Sequence, residues 1–310
     1  MKTIQLSKKL LFALLLSASG LTAQSSNNQI LISGPKFAQP LIEKWISEYS
    51  KTNPGTSIKL AQKDSKANPA QLNLILEPSS TIIQDNNQTF ISAGRYALLP
   101  VSNNRNPILK EIKKKGLNKK ELDKLFFEPF DEDIDPEEKE TKLTATVYSA
   151  ENINKQSVAL AEHFGHLSSE LRGKKVLGDE IYLLTALKKD STGVSYNNLN
   201  YLFDINSRKI KSDIAILPLS LKKEEKNLLT GNIDDALTVL EINQIESVPV
   251  GKIGFTYLPQ NSRNEITDFL NWILTEGQKF NHELGFLNLE NQDILTAQKN
   301  LQNEKLLTLN

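Results

Sequence analysis

Ile30-Leu31-Ile32-Ser33-Gly34-Pro35-Lys36-Phe37-Ala38-Gln39-Pro40-Leu41-Ile42-Glu43-Lys44-Trp45-Ile46 is the stretch on which the reading of the fold turns. Its first four residues form a short apolar run that stops at Gly34. From Pro40 onward, Leu41, Ile42, Trp45, Ile46 and Tyr49 recur at helical spacing along one stripe. Pro40 stands in the first turn, where its missing N–H costs nothing. The spacing therefore predicts a strand, a glycine turn and an amphipathic helix.

The rest of the chain repeats this alternation. Ser57 to Leu60 and Leu72 to Leu76 read as strands. The second is nearly all apolar, as expected of a strand covered on both faces. Thr89 to Val101 is strand-like up to Pro100, residues 106–126 read as two short helices around Gly116, and Leu143 to Tyr148 alternates like a strand. A helix ending near Gly165, another over 179–188, and strands at 194–203 and 214–219 follow. Val248 to Leu258 reads as a strand, and Ser262 with Glu265 forms a capping box before Ile266, Phe269, Leu270, Ile273 and Leu274. Residues 290–310 read as a terminal surface helix. Strands alternating with helices predict an α/β fold, and there is no internal repeat.

A chain of 310 residues has room for one large domain or two modest ones. With 39% apolar and 24% charged residues it is of globular composition. Lys plus Arg and Asp plus Glu number 37 each, so there is no overall field to draw in a polyanion, and nucleic acid is not an expected partner. The absence of cysteine excludes disulfides, thiolate metal sites and a cysteine nucleophile.

The first residues are set apart from the fold. Lys2, Lys8 and Lys9 precede an apolar run from Leu10 to Leu16, then come the small residues Ser17 to Gly20 and Leu21-Thr22-Ala23. This is the pattern of a secretory signal peptide, residues 1–23, too short in its apolar part for a permanent membrane span. Cleavage after Gly20 or after Ala23 fits. Without the leader the chain carries an excess of about three acids. No other window approaches a span, so no stable membrane insertion is expected. Without cysteine, no lipoprotein anchor is available either, and the expected location is the periplasm.

At this point the residues resemble a known family. Gly34-Pro35-Lys36-Phe37-Ala38-Gln39-Pro40 before Lys44-Trp45 is similar to the opening of phosphate ABC transporter substrate-binding proteins. So are Pro100-Val101-Ser102-Asn103 with Asn106-Pro107, Ser157 to Gly165, Ser191 to Asn198, Ile216 to Pro218, and Trp272 to Lys279, in family order. The resemblance implies a periplasmic-binding-protein-like fold of two α/β lobes joined by a hinge of two crossings. Residues 24–100 plus 253–310 would form lobe 1 and residues 101–252 lobe 2. It also implies a small-molecule ligand in the cleft and an ABC permease as partner, with no cofactor and no enzymatic activity.

The ligand loops depart from the family. Where the family cradles phosphate with a Thr-Phe pair, a Gly/Ser-rich loop, an Asp, and an Arg followed by a Ser-Gly turn, this chain has Lys36-Phe37, Lys63-Asp64-Ser65-Lys66, Leu76-Glu77-Pro78 and Tyr148-Ser149-Ala150-Glu151-Asn152-Ile153-Asn154-Lys155-Gln156. Arginine and glycine, which supply bidentate charge and converging N–H groups, are gone from the last loop. Candidate ligand residues by the resemblance are Lys36, Phe37, Ser65, Glu77, Asn152, Asn154, Lys155 and Gln156. Lys36 and Lys155 would favour an anion, and tight phosphate binding is not expected. The competing expectation is an interaction scaffold whose ligand site has decayed.

Other constellations are weaker. The acidic run from Asp131 to Glu140 has Pro136 and Lys142 where a calcium loop needs glycine and a bidentate Glu. His163 and His166 with Glu162 lack further ligands, so no metal site is expected. Ser149 has no Gly-x-Ser-x-Gly context, and Ser191-Thr192-Gly193 is too short for a phosphate loop.

Overall fold

A computed structural model describes residues 29–61, 70–77, 89–127, 145–151, 154–258 and 263–307. The opening stretch folds as its spacing predicts. Strand β1 (Ile30–Ser33) is followed by a 3-10 turn over Lys36–Ala38 and helix α1 (Gln39–Thr52), with Pro40 in its first turn. Leu41, Ile42, Trp45 and Tyr49 are buried along the stripe. Trp45 is fully enclosed, its Nε1 donating to the Gly277 carbonyl at 3.1 Å. At Gly34 a Cβ would lie 2.7 Å from Ile42 Cδ1 and 3.1 Å from Leu74 Cβ, so a larger residue would have to displace the Ile42 side chain.

β1 pairs in parallel with β2 (Ile58–Leu60) on one side and β3 (Leu72–Leu76) on the other. β3 then pairs antiparallel with β9 (Val250–Tyr257), and β9 with β4 (Thr89–Asn103). Helix α9 (Asn264–Thr275) seats Phe269 against Tyr49 and Phe255. The residue before α9 is Arg263; Ser262, expected as its cap, lies outside the described residues. Helix α10 (Asn291–Leu307) buries Ala297 and Leu301 against the core.

A second parallel group is built the same way. β5 (Thr146–Ala150) lies between β6 (Lys174–Val176) and β7 (Gly193–Asn198), with α4 (Lys155–Phe164) and α5 (Ile181–Lys189) as crossovers. α4 stops at Gly165, which adopts φ 86° as a left-handed cap. Helices α2 (Ile108–Ile112) and α3 (Lys119–Phe126) flank Gly116 as expected.

The two groups belong to one sheet, in which eight of the described strands run in the order β2-β1-β3-β9-β4-β7-β5-β6. β4 is its common member. Its first half, Thr89 to Ala97, pairs with β9, while Leu98 to Ser102 pairs with β7 and Val101 to Asn103 with β8 (Ile214–Ile216). The sequence predicts an end at Pro100, which cannot donate to a ladder. The strand continues because the Pro100 carbonyl accepts from Leu217 N at 2.9 Å, and partners change on either side.

The expected strand over 194–203 ends earlier, at Asn198. Leu199 and Leu202 turn inward on a single helical turn, α6 (Leu199–Leu202), and are buried there. Helices α7 (Lys223–Thr230) and α8 (Ile233–Ile242) have no counterpart in the sequence pattern, although Asn232 caps α8 through a bond from Asp235 N. Residues 143 and 144 of the expected strand at 143–148, the signal peptide at 1–23 and the acidic run at 131–140 lie outside the described residues. No described helix is long and apolar enough to cross a membrane.

Candidate functional site

In open α/β sheets, ligands sit beyond the carboxyl ends of parallel strands. Here there are two such edges. The first carries the turn after β1, with Lys36 and Phe37, and the end of β3, with Glu77. The second carries the residues after β5 (Glu151 and Asn154), after β6 (Asp179 and Glu180) and after β7 (Asn198 and Asn200). The two edges touch: Asn200 Nδ2 donates to the Phe37 carbonyl at 2.8 Å.

The residues expected to hold a ligand divide by environment. Lys36, Glu77 and Lys155 are exposed at the strand ends. Glu77 extends the β3–β9 ladder through its N–H to the Lys252 carbonyl at 2.8 Å. Phe37 is 1% exposed, stacked on Phe286 at 5.9 Å and edge-on to Tyr96 at 6.2 Å. Asn154 is fully engaged in structure, its Oδ1 accepting from Gln156 N at 2.8 Å and its Nδ2 donating to Glu180 Oε1 at 2.7 Å. Gln156 is buried and lines a void of about 20 Å³ beside Ser149, Ser195, Tyr148 and Leu98. Ser65 and Asn152 lie outside the described residues.

Among the described residues Gln156 Nε2 has no hydrogen-bond partner. An unpaired buried donor costs about 1–3 kcal/mol of desolvation. Gln156→Met, which keeps the length and removes the amide, is therefore expected to leave stability unchanged or raise it by up to about 2 kcal/mol in urea denaturation. A loss of that size instead would show that the amide is satisfied in solution.

Several polar residues at this edge escape a reading of the sequence alone. Asn197 Nδ2 donates to the Glu180 carbonyl at 2.8 Å, and Tyr201 donates its hydroxyl to Asp179 Oδ1 at 3.1 Å. Burial raises the Glu180 carboxyl pKa, against the lowering effect of its bond from Asn154. Asn198 is 1% exposed, and neither its Oδ1 nor its Nδ2 has a hydrogen-bond partner among the described residues. The signal is present as Asn197-Asn198-Leu199-Asn200, three amides in four residues closing a strand. At these strand ends the described acids Glu77, Glu151, Asp179 and Glu180 outnumber the bases Lys36 and Lys155.

The histidines are used elsewhere. His163 Nε2 donates to the Glu246 carbonyl at 2.7 Å, and burial lowers its pKa. His166 lies between Asp123 and Glu170, stacked on Phe127 at 4.3 Å. Ser149 donates to the Arg172 carbonyl at 3.0 Å. Among the described residues no group of three or more His, Cys, Asp or Glu is placed to hold a metal ion.

No protein-family model and no curated protein matches this sequence. Solved structures do. One described as a phosphate ABC transporter substrate-binding protein from Clostridium perfringens, with phosphate bound, matches at TM-score 0.57 and 14% identity, over 85% of this chain and 100% of its own. An ABC-type phosphate transport receptor from Vibrio cholerae matches at TM-score 0.51 and 11% identity, over 84% and 100%. The CcmR regulatory domain of Synechocystis PCC6803, in complex with 2-PG, matches at TM-score 0.50 and 13% identity, over 81% and 97%. At such identities these likenesses carry the fold: this chain has the mixed α/β fold of periplasmic-binding-protein-like structures.

Proposed function

We propose that the chain is a periplasmic solute-binding protein whose two lobes, residues 24–100 plus 253–310 and residues 101–252, hold a small polar ligand between them for an ABC permease. The observation that carries this reading is the meeting of the two strand-end edges at Asn200 and Phe37. On this reading the ligand sits beside that contact, beyond the carboxyl ends of the parallel strands, where open α/β sheets accept ligands. Lys36 and Lys155 are exposed and have no ion-pair partner among the described residues, so an anion would be held by these two. The phosphate bound in the Clostridium perfringens structure supports an anion by analogy only, since the arginine and glycine turn of the resembling family are missing here.

An interaction scaffold is the second reading, and a specific observation favours it. Phe37, Asn154 and Gln156 are taken up by packing, helix capping and an interior void instead of facing a ligand. A thermal-shift screen over anions, sugars and amino acids separates the two. A binder gains about 2.7 kcal/mol at a hundredfold excess over Kd. Phosphate is expected to act only at millimolar concentration, because charged hydrogen bonds of about 1.5–3 kcal/mol each are lost with the arginine. A submicromolar phosphate constant would overturn that part, and no shift with any solute would leave the scaffold.

A further inference from the structure

Outside the strand ladders, a seam of side-chain bonds between the two proposed lobes lies where the α6–α8 region meets residues 281–288. That segment is fixed to the first lobe: Leu287 exchanges both backbone bonds with Arg95, each 2.9 Å, and Phe286 stacks on Phe37. Against it, the second lobe brings one cation and one anion. Arg208 donates from Nη1 to the Glu283 carbonyl at 2.8 Å and from Nη2 to the His282 carbonyl at 2.9 Å, while its Nε and Nη2 also engage the Asp234 carboxylate. Glu241 Oε1 accepts from His282 Nε2 at 2.8 Å and from Asn288 N at 2.6 Å.

The backbone is shaped for this contact. Arg208 has φ 61°, the only positive φ of a described residue other than glycine, and it ends a turn in which Arg208 N donates to the Asp204 carbonyl at 2.8 Å. Left-handed backbone is costly for a side chain with a Cβ and persists where its surroundings hold it. On the facing side Gly285, at φ 79°, lets the chain pass so close that a Cβ would lie 2.8 Å from Asn200 Cβ and 2.9 Å from Ile233 Cδ1.

We propose that Arg208 and Glu241 form a latch that holds the two lobes in one relative orientation, and that a ligand enters or leaves only when the latch opens; this rests on the two-lobe reading above. Three of the four bonds run from side chains of one lobe to backbone groups of the other and the fourth joins Glu241 to the His282 ring, so rotation of the lobes must break several together. A hinge motion in a binding protein is then gated by this seam as well as by ligand.

The chain has no cysteine, so labels can be placed without removing any. Ser47 on α1 and Thr185 on α5 are exposed, one in each lobe, while Ser47 and Asn300 lie on α1 and α10 of the same lobe. Nitroxide pairs at Ser47→Cys/Thr185→Cys and at Ser47→Cys/Asn300→Cys, read by double electron–electron resonance in the full chain, report the cross-lobe and within-lobe distances. Arg208→Ala is expected to broaden the cross-lobe distribution about twofold, as a second orientation becomes populated, and to leave the within-lobe one sharp. Glu241→Gln should broaden it less, and Arg208→Lys should fall between wild type and Arg208→Ala. If Arg208→Ala does not fold, Glu241→Gln carries the test. Unchanged cross-lobe distances in folded variants would overturn the latch. Broadening of both pairs together would overturn the two-lobe reading instead.

Discussion

Phe37→Ala is expected to destabilise the protein by about 3–5 kcal/mol, the usual cost of deleting a buried ring. The sequence resemblance suggests a ligand contact for Phe37. Its ring is nevertheless 1% exposed and packs between Phe286 and Tyr96. Burial of that order predicts a fall in the urea midpoint with the slope unchanged, and a smaller fall for Phe37→Leu. Intact stability with loss of ligand in Phe37→Ala would instead make the ring a ligand contact. The backbone of the same residue keeps its role in either case, since the carbonyl accepts from Asn200.

The second large effect is expected at Gly116. It adopts φ 75°, and a Cβ there would lie 2.3 Å from both the carbonyl carbon and the oxygen of Leu219. The left-handed backbone alone costs an alanine about 1–2 kcal/mol. The contact adds to this, because the neighbouring atoms are main chain and cannot rotate away. Relief requires parting Leu117 from the 218–220 segment, where Leu117 N bonds the Pro218 carbonyl at 2.8 Å and Ser220 N bonds the Leu117 carbonyl at 2.9 Å. A total loss of about 4 kcal/mol is expected for Gly116→Ala, at the upper end for a single substitution. Gly165 supplies the control. It has φ 86°, but a Cβ there would meet nothing within 4 Å, so Gly165→Ala should cost only the conformational part, about 1–2 kcal/mol. Similar losses at the two glycines, measured by chemical denaturation, would refute the role given to the Leu219 contact.

The elements best foretold by the amino-acid order are those in which local pattern and burial agree. The stripe from Leu41 to Tyr49 buries the side that its spacing picks out, while Leu72 to Leu76, expected to be covered on both faces, buries Leu72, Leu74 and Leu76 and leaves Asn73 and Ile75 half-buried. Gly165 ends its helix because only a residue free of a Cβ takes that conformation cheaply. The failures come where tertiary partners override local preference. β4 crosses Pro100 because Leu217 bonds the carbonyl that proline retains, and no local pattern announces a partner more than a hundred residues away. The strand expected through residue 203 yields to α6 because Leu199 and Leu202 find burial by turning. α7 and α8 are interrupted by short connections that blur their periodicity.

The site is less legible than the fold. Of the positions that the resemblance suggests, those among the described residues fall at or near strand ends, but the sequence does not say what their side chains do there. Asn154 reads in isolation as a donor for a ligand; in the folded chain its Nδ2 is bonded to Glu180, a residue that nothing nearby in the sequence points to. Such pairings between a helix cap and the start of another helix, 26 residues apart, are set by the crossover geometry of β5, β6 and α5.

The placement of β9 between β3 and β4 has a consequence for the chain as it emerges during synthesis. β3 and β4 are both complete by residue 103, yet β3 on its side away from β1, and the first half of β4, find their partner in a strand that begins at Val250. Until that segment appears, β3 and the first half of β4 present unpaired edges, which are templates for wrong pairing. Closing the sheet late in this way gives slow, non-local folding and leaves the early half open to any holding factor that recognises extended apolar strands.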